Sequence, residues 1–284
     1  MATQTSVPAR ARRIVQIWID AFSEHDLLTY ASAIAFQVLK SLIPLTLLGV
    51  AVLGAVDRHD VWTRHVAPAL EKRFDRPVYR AIDFAVEKIF AHNSAPLLVF
   101  AALLTIWYVS GGVRAIMGGI NRIYDASDER PFWIRWPISI GLAVCIVSGL
   151  VGAAFLVEIV PTPHGAAEIP VKAVRWLGAV AVLTVAAGLV VRLAPVERRP
   201  KKWVSAGAAL VVTTWIVTSV VFRWYVETFA NFKTAVGQLT VFIVLMVYVY
   251  ASSIVLLVGV QLDEFLREEA TTDERGIVDV LLGR

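Results

Sequence analysis

The sequence is poor in charge, in cysteine and in catalytic signatures. Asp, Glu, Lys and Arg make up only 18% of its 284 residues, while 57% are hydrophobic. A soluble domain of this length carries more charged surface, so that class is excluded. Cys145 is the one cysteine. No internal disulfide can form, and the redox compartment is unreadable. His25–Asp26 and His59–Asp60 are isolated pairs, and His65, His92 and His164 lack metal-ligand spacing. P-loop, zinc-protease and hydrolase signatures do not occur, which argues against ATP coupling on this chain. A nuclease needs placed bases or metal carboxylates on a wet surface. None is visible, so the expectation is no enzyme, no metal, no cofactor and no nucleic-acid partner.

What is present is a series of long apolar runs, with a mean hydropathy of +0.67. About 20 helical residues cross a hydrocarbon core of about 30 Å. Six runs reach that length: 31–56, 96–117, 137–160, 171–194, 204–226 and 239–262. The predicted fold class is all-α, a polytopic membrane protein with six transmembrane helices plus amphipathic interfacial helices. Residues 1–30 form an N-terminal amphipathic segment, 31–262 the membrane domain and 263–284 a charged tail. Residues 1–13 are polar and no short apolar stretch with a small-residue cleavage site follows, so the first span is expected to stay as an anchor.

Orientation follows from Lys and Arg in short loops. Arg192, Arg198, Arg199, Lys201 and Lys202 surround one turn; Arg122, Arg130 and Arg135 follow the second span; Arg10, Arg12 and Arg13 precede the first. All three groups share one side in a six-span arrangement. The other side offers Lys172, Arg175 and Lys233 in its short loops. Both termini are therefore expected in the cytoplasm. The loop 57–95 is long, its seven cations are nearly balanced by acids, and the rule concerns short loops. Trp62, Val66, Ala69, Leu70 and Phe74 recur in it at helical spacing, and Val78, Ile82, Ala85, Val86 and Ile89 repeat the pattern after Pro77. These are amphipathic helices, placed outside the cytoplasm. They are read first as packing on their own bundle and second as a docking surface for an envelope protein. A third amphipathic face, Trp18 and Phe22, lies in 12–22.

Polar residues inside the spans are the candidate sites, because intramembrane ionisable groups are functional candidates by default. In "AIAFQVLKSLIPLTLLG", Gln37, Lys40, Ser41 and Pro44 share a helical face. Pro44 has no N–H, so the Lys40 carbonyl loses its helical partner. The functional reading is a polar cavity near the midplane that meets an anionic ligand. The structural reading is a lysine that snorkels or pairs within the bundle. In "IWYVSGGVRAIMGGINRIYD", Trp107, Ser110, Arg114, Asn121 and Asp125 form a stripe, and Gly111, Ala115 and Gly119 form a small-residue ridge for close helix approach. Such ridges permit a homo-oligomer without requiring one. Arg114 is expected to pair with Asp263 or Glu264, and Glu158 with Arg223. Tyr248, Ser252, Gly259 and Asp263 align on the last span.

These two stretches, with "KKWVSAGAALVVTTW" and "GQLTVFIVLMVYVYASSIVLLVGVQLDEFLRE", resemble the YihY/BrkB family of bacterial inner-membrane proteins. The likeness runs from about residue 25 to 268 and is most specific at Trp107–Tyr124. It implies six spans in the cytoplasmic membrane and a role in envelope integrity and serum resistance, with handling of lipids or lipopolysaccharide precursors. Many members once carried a ribonuclease label. Against the family pattern, Gln37 stands at an aromatic position, Lys40 at an apolar one and Gln261 at an acidic one.

Three functions are weighed. The leading one binds or translocates a lipid or other anionic amphiphile at the candidate ligand residues Gln37, Lys40, Ser41, Pro44, Ser110, Arg114, Asn121, Tyr248 and Ser252. The second is a non-transporting scaffold or assembly factor that uses 57–95. A ribonuclease comes last.

Overall fold

The computed structural model describes residues 7–271 except 57–58, 75, 92–94, 127, 160–167, 194, 197–203 and 230–233. Among these residues there are helices and no strands. In chain order they are α1 (Val7–Glu24), α2 (Leu27–Ala55), α3 (His59–Val61), a π-helical turn (Trp62–Val66), α4 (Ala67–Arg73), α5 (Arg76–Ala91), α6 (Ala95–Ile123), α7 (Phe132–Ala154) with a π-helical extension (Phe155–Ile159), α8 (Glu168–Leu193), α9 (Val204–Phe229) and α10 (Ala235–Thr271).

Six helices are long and apolar enough to cross a membrane: α2, α6, α7, α8, α9 and α10. They correspond one to one with the six apolar runs. The helices overrun the runs because a helix continues through polar ends that hydropathy does not register. α10 extends to Thr271, through the start of the expected tail. α7 begins at Phe132, so Pro137 lies inside it rather than at its start. Pro131, extended at φ −61° and ψ 153°, is the true entry. A proline this close to the first turn removes only one helical hydrogen bond. Beyond Thr271 the expected charged tail lies outside the described residues.

α2 and α6 form the central antiparallel pair, with α7 against α6 and α10 against α2. α8 rests chiefly on α7, and α9 chiefly on α10. Both outer helices therefore turn apolar side chains outward, such as Trp176 and Leu177 on α8 and Val220 and Trp224 on α9. Such exposure is the normal state of a lipid-facing surface. Burial concentrates at the end of the bundle where α1 packs on α10. There Leu27, Ile34, Val113, Met117, Ile120, Ile123, Leu142, Val190, Leu257 and Val260 form one cluster. The opposite end holds a smaller cluster of Leu48, Ala101 and Val147.

The ridge on α6 does what small residues do: it lets neighbours approach. A Cβ on Gly111 would meet Gln37 Oε1 at 2.9 Å, and one on Gly119 would meet Leu257 Cδ2 at 3.0 Å. Between α9 and α10 the approach is closer still. A Cβ on Gly207 would overlap the Gly259 carbonyl oxygen.

The amphipathic segments pack on their own bundle. Trp18 of α1 meets Phe265 of α10 edge-on at 5.3 Å. In the long loop, Trp62, Ala67 and Val86 make a small core that Val50 of α2 joins. The Trp62 indole donates to Asp83 Oδ1 at 2.9 Å, and His59 Nε2 pairs with Glu87 Oε1 at 2.9 Å.

Candidate functional site

The middle of α2 presents Lys40 half-buried. Its ammonium sits 5.1 Å from the Phe36 ring centre and 5.2 Å from that of Tyr108 on α6. Cation–π contact with two rings is worth about 0.5–2 kcal/mol each, more where water is excluded. Among the described residues no carboxylate lies within ion-pairing distance of Lys40. Gln37, one turn earlier, lies over Gly111. Ser41 turns back to its own helix, donating to the Val38 carbonyl at 2.7 Å. Pro44 is buried. The structure thus brings Gln37 and Lys40 to α6, while the Ser41 hydroxyl is spent within α2.

Arg114 occupies a different environment, between α6 and α7. One terminal nitrogen, Nη1, donates to Ser110 Oγ at 3.0 Å and to Ser139 Oγ at 3.2 Å. Both serines are fully buried. Each sends its own proton to a carbonyl of its helix, Trp107 and Trp136 respectively, at 2.8 Å. Their lone pairs are thereby left to face the guanidinium. Its carbon lies 4.7 Å from the Trp136 ring centre, and Trp136 meets Trp107 edge-on at 4.8 Å.

The expected partners of Arg114 are engaged elsewhere. Asp263 Oδ1 accepts from the Gly207 N–H at 2.7 Å, capping the first turn of α9, where a negative charge also suits the helix dipole. Glu264 pairs with Arg267, three residues on. Arg223 pairs with Glu227 on its own helix at 2.8 Å, and the Glu158 side chain lies outside the described residues.

Asn121 ties loops together. Its Oδ1 accepts from the Val196 N–H at 3.0 Å, and its Nδ2 faces Asp128 at 3.5 Å. Asp128 also neighbours Arg130 and Arg135, and Arg130 donates to the Pro195 carbonyl at 2.6 Å. Tyr248 shares a 2.9 Å hydrogen bond with Ser219 and stacks on Phe222. The Ser252 carbonyl accepts from the Trp215 indole at 3.1 Å, whereas its buried hydroxyl has no partner among the described residues. These contacts seat α9 on α10. Among the described residues no group of three or more His, Cys, Asp or Glu is placed to hold a metal.

Sequence reasoning missed Ser139 and Trp136 as partners of Arg114. It also missed the hub at Asp128 and the buried pair His25 Nδ1 with Gln261 Oε1 at 2.9 Å. Only one signal pointed there: a serine and two tryptophans at the polar start of an apolar run. An apolar cleft of 480 Å³ between α7 and α8, lined by Cys145, Ser148, Gly149 and Ala186 among others, left no mark in the sequence at all.

Six lipid-length helices with arginine and lysine drawn inward define a multi-pass helical membrane protein. The chain belongs to the family described as Virulence factor BrkB, whose sequence model matches residues 18–277. It is 24% identical over 257 residues to a Bacillus subtilis (strain 168) protein named "Putative ribonuclease-like protein YfkH", covering 87% of this chain and 92% of that one. It is 26% identical over 249 residues to a UPF0761 membrane protein of Chlorobium phaeobacteroides (strain BS1), covering 84% of this chain and 57% of that longer one. A UPF0761 membrane protein of Pseudoalteromonas atlantica is 24% identical over 282 residues, covering 92% of this chain and 89% of the relative. No solved structure matches the chain.

Proposed function

We propose that this protein binds or translocates a lipid or other anionic amphiphile in the bacterial cytoplasmic membrane, with both termini in the cytoplasm, and so supports envelope integrity. The observation that carries this reading is Lys40: an ammonium in the middle of a membrane helix, resting on two aromatic faces, with no carboxylate paired to it among the described residues. A lysine at that depth costs about 2.5–3.5 kcal/mol to insert. Cation–π contact offsets part of that, and an anionic headgroup would offset the rest. The Lys40 carbonyl, freed by Pro44, supplies an acceptor beside it, and a proline inside the helix gives α2 a point about which to bend.

The ribonuclease-like name of the Bacillus relative gains no support from the side chains here. His25 lies against Gln261 and Asp125 and His59 against Glu87, and among the described residues no group of three or more His, Cys, Asp or Glu is placed to hold a metal. The protein is read as a non-enzyme.

Native mass spectrometry on gently extracted wild type and Lys40→Leu tests the reading. The expected result is a specific anionic lipid retained by wild type and lost from the variant. A lipid-free species, or binding indifferent to Lys40, transfers the case to a scaffold working through 57–95.

A further inference from the structure

Arg114 is a cation whose neighbours hold it without neutralising it. The two serines engage only Nη1. Among the described residues the rest of the guanidinium has no partner, and no carboxylate lies within ion-pairing distance. A neutral cradle of this kind fixes a guanidinium in place and leaves its full charge for a ligand. Arg135 stands on α7 one residue before Trp136, the ring on which Arg114 lies. Its Nε is buried without a hydrogen bond. Asp128, 3.4 Å from that atom, is shared with Arg130. A guanidinium held by neutral groups, with two more arginines sharing one acid around the start of α7, calls for an anion.

Depth says which anion. Arg114 lies over Trp136 and against Ser139, within the first two turns of α7. The start of that helix exposes Phe132 and Trp133, at 65% and 74% of their surface. Exposed aromatic side chains at a helix end mark the membrane–water boundary, where phospholipid phosphates sit. A guanidinium presents paired N–H donors that match phosphate geometry.

We propose that Arg114, stacked on Trp136, with Arg135 one residue before that ring, binds the phosphodiester of an anionic phospholipid at the end of the bundle where α1 packs on α10. The site is separate from Lys40, whose ring partners are Phe36 and Tyr108, and it stands whether or not Lys40 holds a ligand. The acyl chains of such a lipid would lie along the apolar flank of α7.

The test is native mass spectrometry of the full chain in detergent, supplemented with phosphatidylglycerol or phosphatidylcholine, for wild type, Arg114→Gln and Arg114→Lys. Circular dichroism and elution profile establish that each variant is folded. Wild type is expected to retain phosphatidylglycerol over phosphatidylcholine. Arg114→Gln should reduce that retention by about tenfold, the scale of one charge-assisted hydrogen bond. Arg114→Lys should fall between the two. Equal retention of the two lipids overturns the proposal, as does wild-type retention by a folded Arg114→Gln. Displacement of the lipid by an equimolar amount of inorganic phosphate also overturns it, by assigning the site to a soluble anion. If Arg114→Gln does not fold, Arg135→Gln decides: a severalfold loss supports the site and no loss overturns it.

Discussion

Asn121 illustrates how much one amide can hold. It is 3% exposed, and its carbonyl oxygen takes the Val196 N–H from a turn 75 residues away. Asn121→Ala leaves that N–H without its partner and removes the contact with Asp128. Loss of a buried partner costs about 1–3 kcal/mol. Thermal unfolding in detergent should therefore show a lowered midpoint, with phosphatidylglycerol retention at Arg114 preserved. Periodicity put Asn121 on the inward stripe of α6 correctly. It could not reveal the role, because the partners come from two loops whose approach depends on how four helices pack. Arg114 is a parallel case. The sequence marked it as a buried cation and matched it by depth to the nearest acids, Asp263 and Glu264. Depth is shared by every helix in a bundle, however, and azimuth is not. The acids face Gly207 and Arg267, while Arg114 faces the serines of α6 and α7.

Elements were far more legible than contacts. Hydropathy alone located all six spans, since a lipid-crossing helix must be long and apolar whatever it packs against. The amphipathic loop was legible for the same reason at a smaller scale: an apolar stripe must find cover. Its cover is local. Trp62 is 3% exposed and is the largest member of the loop's core. Truncating a buried tryptophan costs about 3–5 kcal/mol, more than so small a core can spare. Trp62→Ala should open residues 59–91 to limited proteolysis while the six spans stay resistant, with the cut sites read by peptide mass. Cleavage spread evenly through the chain would mean that the loop and the bundle stand or fall together. Which helices lie side by side was not legible, because every lipid-facing span looks alike in composition. The pairing of α9 with α10 rests on Gly207 against Gly259 and on the Asp263 cap, neither of which periodicity encodes.

For the molecule as a whole, the two ends of the bundle differ in the compartment they face. The Lys and Arg bias is the ground for proposing that the termini lie in the cytoplasm. Replacing the single native thiol by Cys145→Ala gives a background for two reporters, Phe84→Cys on α5 and Ile19→Cys on α1, both at exposed positions. A membrane-impermeant maleimide applied to intact cells should label the first at once and the second only after permeabilisation. The opposite pattern would invert the topology and move Arg114 to the other leaflet.

The central pair of helices carries one further consequence. Tyr30 meets Gly118, Gln37 meets Gly111 and Lys40 meets Tyr108, so that each step up one helix is matched by a step down the other. The three contacts are unevenly spaced and chemically unlike, much as the teeth of a key are cut. Slide α2 by one turn and a ring or an amide strikes a side chain where it had found a glycine. The pair can turn or bend as a single piece, but it resists being drawn lengthwise, and any lengthwise stroke must be taken by the helices that stand around it.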